Sequence, residues 1–593
     1  MASDNGLLPL PTRWSETVSK TCPWPEYPRP QLRREHWQCL NGVWEYAIRE
    51  GAPGGMPAAF DGNILTPFSP ESLLSGVGRQ LLPGQTLWYR RRVRFENTAA
   101  LPVTLLHFGA VDQCCAVYLN GQCAGRHEGG YWPFALDVSH LLREGENEIA
   151  LAVTDDTNQG SQAYGKQSPR RGGIWYTAQS GIWQTVWAEF LPQAHVETLR
   201  LNPLYDESCL EVTAAFSAPV GEVQLRVLAE GKEIAGGTFD PTAPMRIPLP
   251  GFRPWDTEDP FLYDLELRAG EERVQSYFGM RKFGTNKGSD GVPRFTLNGR
   301  PIFQTGLLDQ GYWSDGLYTP PCEEAVVWEL EQCKALGFNM LRKHIKIEPL
   351  RWYYHCDRLG LLVWQDLVSG GAPYSPFVTQ VSGFCGPRLA DDRRYARFGR
   401  ADAAGRANFE RDMHRTLALL GNVTSLALWV PFNEAWGQFD SVRIAEAIRA
   451  ADPSRWIDHA SGWHDQHAGD CRSRHVYFIP YRHKRDRFGR VEILSEFGGY
   501  SCPAPGHMAS RKRFGYKKYD SKAALTQAYA RLFQREILPA VRRGLSAAVY
   551  TQVSDVEDEI NGLFTYDRAI LKPGADEIRA CNKSLLQALC DTK

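Results

Sequence analysis

Two short segments of the chain end an apolar run on a carboxylate. Leu426-Ala427-Leu428-Trp429-Val430-Pro431-Phe432-Asn433-Glu434-Ala435-Trp436-Gly437 delivers Glu434, and Glu492-Ile493-Leu494-Ser495-Glu496-Phe497-Gly498-Gly499 delivers Glu496. Read singly, Glu434 is also compatible with a helix-start acid favoured by the macrodipole. That reading leaves Asn433 and Trp436 beside it unexplained. Read together, the two acids are the equipment for cleaving a glycosidic bond, where one carboxyl must stay protonated while the other is ionised. Retaining enzymes hold the pair about 5–5.5 Å apart, and inverting ones hold it wider.

Such acids need a frame that aims both at one point. From about residue 290, apolar strand candidates alternate with helical stretches: PIFQTGLL, FNMLRKH, LLVWQD, SLALWVPFNE, RWIDHAS, HVYFIP, EILSEF and LSAAVYTQ, with helix-like runs such as EEAVVWELEQCKALG and ANFERDMHRTLALLGN between them. Eight strands with crossovers predict a (β/α)8 TIM barrel, whose chemistry sits at the C-terminal strand ends. Glu434 then ends strand four and Glu496 strand seven, on opposite sides of the barrel mouth.

The first 287 residues read as all-β. Residues 1–190 hold alternating runs such as WYRRRVRF, with Asn120-Gly121 as a hairpin signal, and fit a jelly-roll sandwich. Residues 191–287 hold VETLRLNPLY, CLEVTAAFSA, EVQLRVLAEG, LYDLELRAG and RVQSYFGMRKFG, at the spacing of an immunoglobulin-like β-sandwich. The barrel is assigned to 288–593.

Net charge is −1, which argues against a nucleic-acid partner. No run is long enough to span a membrane. The first twenty residues lack the basic and apolar segments of a secretory leader, and the 14 cysteines are scattered without a CxxC pair. Free thiols in a cytoplasmic protein are the expectation, with no metal and no cofactor. Aromatic residues make up 12% of the chain, which serves large cores and leaves rings to face a sugar.

These motifs resemble glycoside hydrolase family 2, the family of β-galactosidases, β-glucuronidases and β-mannosidases. The resemblance covers the whole length in the order jelly roll, immunoglobulin-like sandwich, barrel, and includes Ser180-Gly181-Ile182-Trp183-Gln184-Thr185-Val186-Trp187. It implies a retaining exo-β-glycosidase acting on a small-molecule or oligosaccharide glycoside, with Glu434 as acid/base and Glu496 as nucleophile. It further implies that Asn433 binds the sugar 2-OH, that Arg342 holds Glu496 ionised through a bidentate pair, and that His344, Asp366 and Tyr477 face the substrate. Trp463 opens the loop GWHDQHAGD, whose His464, Asp465, His467 and Asp470 are read as a substrate loop rather than a metal cluster. Gln552 stands where many relatives place a Trp.

One departure bears on the substrate. Where β-glucuronidases carry an Asn-x-Lys pair for the sugar carboxylate, this chain has Glu559 and Asn561. A uronate would lose its counter-charge unless the basic run Arg511–Lys518 supplied one. A neutral, β-galactosidase-like substrate is therefore expected ahead of a glucuronide, galacturonide or mannoside. A non-catalytic carbohydrate binder is the alternative of another class. Specificity is expected in loops 366–400 and 500–522, and a homo-oligomer is possible.

Overall fold

The structure is a computed structural model and describes residues 6–375, 377–381 and 391–590. Part of the expected specificity loop, residue 376 and residues 382–390, lies outside the described residues.

The N-terminal part is a two-sheet sandwich. A four-stranded sheet orders Trp37–Cys39, Val186–Leu191, Val103–Phe108 and Phe134–Asp137; a six-stranded sheet is centred on Gln85–Arg94 and Glu146–Thr154. Their inner faces bury Trp44, Tyr89, Phe108, Val117 and Leu151. Asn120 and Gly121 both have positive φ, 53° and 81°, as a two-residue turn between Cys114–Leu119 and Gln122–Glu128 demands.

The middle part is a smaller sandwich of three and four strands around Leu210, Val212, Leu225, Leu265 and Phe278. Two of its strands, Lys232–Phe239 and Met245–Pro248, were not legible in the sequence. The first carries Gly236-Gly237 on a mostly exposed edge, and the second ends in proline; both features mask a strand pattern. Phe283–Lys287 then pairs with Pro293–Leu297 across the expected boundary at 287.

The C-terminal part is a nearly closed parallel barrel. Its strands are β1 (Gln304–Asp309), β2 (Met340–Lys343), β3 (Leu362–Asp366), β4 (Leu426–Val430), β5 (Trp456–Ile457), β6 (Cys471–Val476), β7 (Val491–Gly498) and β8 (Leu545–Thr551). The seam between β5 and β6 is bridged by Asp470 N–H donating to the Ile457 carbonyl at 2.9 Å. Helices follow β1 to β4, β7 and β8, as crossovers require; Ala403–Leu420 starts on Asp402, whose carboxylate accepts from the amides of Ala404 and Gly405. The connections after β5 and β6 contain no helix. Short segments rich in glycine and charge fill them instead, tied by Arg490 to Asp465 at 2.7 Å. Strand β6 also lies earlier than the HVYFIP run expected, ending at Val476. Trp364, Leu428, Val430, Trp456 and Val549 fill the barrel, with Phe295 of the preceding strand in the same cluster, so chemistry is expected at the mouth, where the strands end.

Candidate active site

Glu434 stands just beyond β4. Asn433 pairs with Ser461 in an isolated parallel bridge, and Glu434 N–H donates to the Ser461 carbonyl at 2.9 Å. Glu434 and Ala435 then turn left-handed, with φ of 46° and 64°. Such a turn costs L-residues about 1–2 kcal/mol each, and it swings the Glu434 side chain over the mouth. Glu496 lies within β7, buried, opposite Glu434. The glycines after it are required by close approach: Gly498 has φ 85°, and a Cβ there would collide with the Tyr550 ring.

Carboxylate oxygens of the two glutamates and a nitrogen of His475 all lie within 4.8 Å of one another. This trio could present ligands to an ion, but an ion there would occupy the space between the two acids. Burial pushes the Glu434 carboxyl up to about 7; the Glu559 charge adds to this, while Lys166 and Arg342 oppose it. Burial also raises Glu496, against the pull of His475, Arg342 and its hydrogen bond from Tyr477.

Arg342, fully buried on β2, is the hub. It donates through Nε and Nη2 to both Asp366 oxygens at 2.9 and 3.1 Å, through Nη1 to Glu496 Oε1 at 3.1 Å, and through Nη2 to Asn433 Oδ1 at 2.8 Å. The bidentate partner is thus Asp366 and not Glu496, the partner expected from the sequence. The fork geometry of the guanidinium fits the neighbouring β3 carboxylate, leaving one nitrogen for Glu496. Asp366 also meets His344 Nδ1 at 2.6 Å, and burial holds the His344 imidazole well below its ordinary pKa. Tyr477 donates to Glu496 Oε2, and its ring stacks on Tyr516 at 3.7 Å between centroids.

Seven expected residues therefore share one network: Arg342, His344, Asp366, Asn433, Glu434, Tyr477 and Glu496. Trp463 packs against the His475 ring at 5.6 Å. Gln552 is committed to its neighbours, accepting from Gln310 at 2.6 Å and donating to Asn561 at 2.9 Å. Asn561 in turn donates to Glu559, which accepts from Tyr176. In the GWHDQHAGD loop Asp465 pairs with Arg490 and Asp470 with Arg449. Among the described residues these side chains form no group of metal ligands.

Sequence reasoning missed His475 and the residues that the N-terminal part brings to the barrel. His475 Nδ1 is 2.8 Å from Glu434 Oε1, while its Nε2 is 3.0 Å from Ser461 Oγ and 3.5 Å from Glu496 Oε1. Burial lowers it to about 4, so the ring is neutral near pH 7. A signal existed: His475 lies two residues before Tyr477, and alternation along an extended segment puts both on one face. Lys166 carried no comparable signal. It is 6% exposed, with its ammonium 5.3 Å from the Tyr176 ring and 5.6 Å from the Trp436 ring. Among the described residues no carboxylate pairs with it within 4 Å, although Glu559, Glu496 and Glu434 all act on its charge. In the basic run Arg511, Lys512, Arg513 and Lys518 are exposed, and Lys517 is half-buried with its ammonium 5.3 Å from the Tyr500 ring.

A nearly closed parallel barrel with paired glutamates across its mouth, behind two β-sandwiches, defines a multidomain TIM-barrel protein with a two-carboxylate centre. Residues 81–186 match the sugar binding domain, and residues 293–585 the TIM barrel domain, of glycosyl hydrolases family 2; the chain belongs to that family. The β-galactosidase of Thermoanaerobacter pseudethanolicus is 23% identical over 309 residues, 47% of this chain and 39% of that relative. Among solved structures, a β-glucuronidase of an uncultured Clostridium sp. has a TM-score of 0.74 at 16% identity, covering 93% of this chain and 99% of that one. A β-galacturonidase of Eisenbergiella tayi has a TM-score of 0.66 at 17% identity, covering 93% and 97%. At these identities the structural likenesses concern the fold. The chain matches 34% and 39% of the length of two of its curated relatives. Among the described residues no helix is long and apolar enough to cross a membrane.

Proposed function

We propose that the protein is a retaining exo-β-glycosidase that releases a terminal β-linked sugar by double displacement, with the barrel, residues 288–593, carrying the two catalytic acids. The observation that carries this reading is the approach of the Glu434 and Glu496 carboxylates to within 4.8 Å. A closest approach of that size supports the narrower separation of retaining enzymes, roughly 5–5.5 Å between carboxyl groups, over the roughly 6.5–9.5 Å of inverting ones. In the first step Glu496 attacks the anomeric carbon while Glu434 gives its proton to the departing glycosidic oxygen, leaving a glycosyl ester on Glu496. In the second, ionised Glu434 takes a proton from water, the water oxygen attacks the anomeric carbon, and the Glu496 carboxylate is restored. Asn433, held by Arg342, is placed to bind the sugar 2-OH. His344, Asp366 and Trp463 line the sugar, and Gln552 braces the wall behind it. The free thiols of the described cysteines support a reducing, cytoplasmic setting.

The acid form of Glu434 sets the alkaline limb. With its carboxyl near 7, kcat/KM is expected to hold up to about neutral pH and then to fall about tenfold per pH unit as the proton is lost. A pH profile on a substrate with a poor leaving group reads this directly. A limb that begins above pH 9 contradicts the assignment.

For the sugar itself, a neutral β-hexoside, galactoside first, is the primary reading, because Asn561 stands where a cation would hold a uronate. A second reading, a β-uronide, is favoured by Lys166, whose ammonium enters the same region from the N-terminal domain. A buried carboxylate without a cation is costly, and Lys166 offers that cation. The kcat/KM values for paired galactoside, glucoside, mannoside, glucuronide and galacturonide substrates decide between them. A uronide ahead by tenfold, about 1.4 kcal/mol in transition-state binding, establishes the second reading. Lys166→Met should then lower the uronide-to-galactoside ratio by tenfold or more.

A further inference from the structure

Residues 23–38 form a strap that touches all three parts of the chain. On the barrel, Trp24 is buried among core residues and its indole N–H donates to the Pro320 carbonyl at 2.8 Å, while Gln31 Nε2 donates to the Asn422 carbonyl at 2.8 Å. On the middle sandwich, Arg33 exchanges backbone hydrogen bonds with Gln275, and Arg34 Nε donates to Glu272 at 2.9 Å. On the N-terminal sandwich, the Tyr27 hydroxyl donates to Glu189 at 2.6 Å and Arg34 Nη1 to the same carboxylate at 2.8 Å. The strap's own backbone carries only the 3-10 turn Pro30–Leu32 before the edge strand Trp37–Cys39, so its placement rests on these contacts.

The two ends of the strap are brought together. Asn41 Nδ2 donates to the Pro23 carbonyl at 3.0 Å, and Cys39 Sγ lies 3.8 Å from the Trp24 carbonyl. The Thr21 carbonyl stands so close to Gly42, φ 120°, that a Cβ there would lie 2.4 Å from it. This closure sets Cys22 against Cys39, with a hydrogen bond between the two thiols. That bond draws the Cys22 thiol down to about 7 against its burial, with Arg91 helping and Glu26 opposing; the same bond, together with burial, holds the Cys39 thiol above its ordinary range. Cys22 is partly exposed, whereas burial pushes the thiols of Cys114, Cys115 and Cys322 up to about 12. A reachable, readily ionised sulfur beside a protonated one is the arrangement of an attacking thiol with its resolving partner.

We propose that Cys22 and Cys39 are an oxidation site at which hydrogen peroxide converts the dithiol to a disulfide that clasps the strap shut. The Cys22 sulfur attacks one peroxide oxygen, the O–O bond breaks, and the departing hydroxide takes up a proton as water, leaving a sulfenic acid. The Cys39 sulfur then attacks the Cys22 sulfur, the S–O bond breaks, and the hydroxide leaves with the Cys39 proton as a second water. The two thiols lose two electrons and two protons, and the peroxide takes up both. A small thiol in excess reverses the step by exchange. The disulfide closes a short loop around the strap, which restricts the unfolded chain and leaves the three-way junction as it stands.

The test treats the full chain with hydrogen peroxide, maps it by mass spectrometry after digestion without reductant, and compares its thermal unfolding with that of the reduced protein. The expected result is a peptide pair joined through Cys22 and Cys39 and an unfolding midpoint raised by about 3 °C or more, both reversed by dithiothreitol. Cys22→Ser and Cys39→Ser should each abolish the rise, and in Cys39→Ser dimedone should trap a sulfenic acid on Cys22. Cys22→Ser, at a partly exposed position, should unfold like the reduced parent. Cys22 joined to a different cysteine, or left reduced by a peroxide dose that modifies the exposed Cys123, overturns the proposal. A Cys22–Cys39 disulfide that leaves the midpoint unchanged or lowers it overturns the clasp.

Discussion

Glu496→Gln is expected to abolish turnover while leaving the fold intact. In the proposed mechanism Glu496 is the group through which the two-step route passes, and removing a nucleophile of this kind costs on the order of 10⁵-fold or more in kcat. The isosteric amide is the informative change. Its one oxygen can still accept from Arg342, while its NH2 takes the place of the oxygen that now accepts from Tyr477 and donates to that hydroxyl instead. Arg342 keeps its bidentate pair with Asp366, so the guanidinium is not left as an uncompensated buried charge. The measurements are kcat on an activated aryl glycoside and a thermal unfolding curve. Residual activity above about 1% in a preparation free of parent enzyme would remove Glu496 from its role. So would a 2-fluoro sugar that labels another residue in the parent.

Glu434→Ala should produce a loss that depends on the leaving group. An acid supplies typically 10²–10⁴-fold when the departing oxygen needs a proton and little when it does not. Alkyl glycosides and disaccharides should therefore lose about 10²–10⁴-fold, while dinitrophenyl glycosides should form the glycosyl ester nearly as before and stall at its hydrolysis. Azide, which needs no base, should restore turnover and yield a β-glycosyl azide. Removing the carboxylate also takes away the partner of His475 Nδ1, so Glu434→Gln is the companion control. Equal losses on both substrate classes, with no glycosyl azide formed, would show that Glu434 does not handle the proton.

Much of this centre was legible because barrel strands announce themselves as apolar runs. Counting those runs put Glu434 at the end of the fourth strand and Glu496 at the end of the seventh; Glu434 stands a short turn beyond β4, and Glu496 lies inside β7. Arg342, His344 and Asp366 came from the family resemblance, which matched them to positions at the ends of such runs. His475 was passed over because β6, CRSRHV, alternates buried with partly buried residues and carries charge, so its start was hidden and its register misplaced. Lys166 and Tyr176 were invisible for a different reason. They sit in a loop without periodicity, some 270 residues before Glu434, and no local pattern says that a sandwich loop will fold over a barrel. The basic run at 511–518 shows the converse. Its composition drew attention, but what the segment contributes is Tyr516, stacked on Tyr477.

The loop that carries Lys166 binds the barrel through Arg171, which pairs with Asp558 at 2.8 Å, and through Thr177, whose amide meets Glu557 Oε1 at 2.9 Å. One wall of the binding site is therefore on loan from another folding unit. The barrel can keep both glutamates in register and still be a poor catalyst if its lodger lifts away. Heat or mild denaturant that loosens the contact between the two units is expected to extinguish selectivity before either unit melts, which substrate ratios recorded along an unfolding curve would read. For the same reason, exchanging the sandwich, which holds neither proposed catalytic acid, is expected to alter substrate choice.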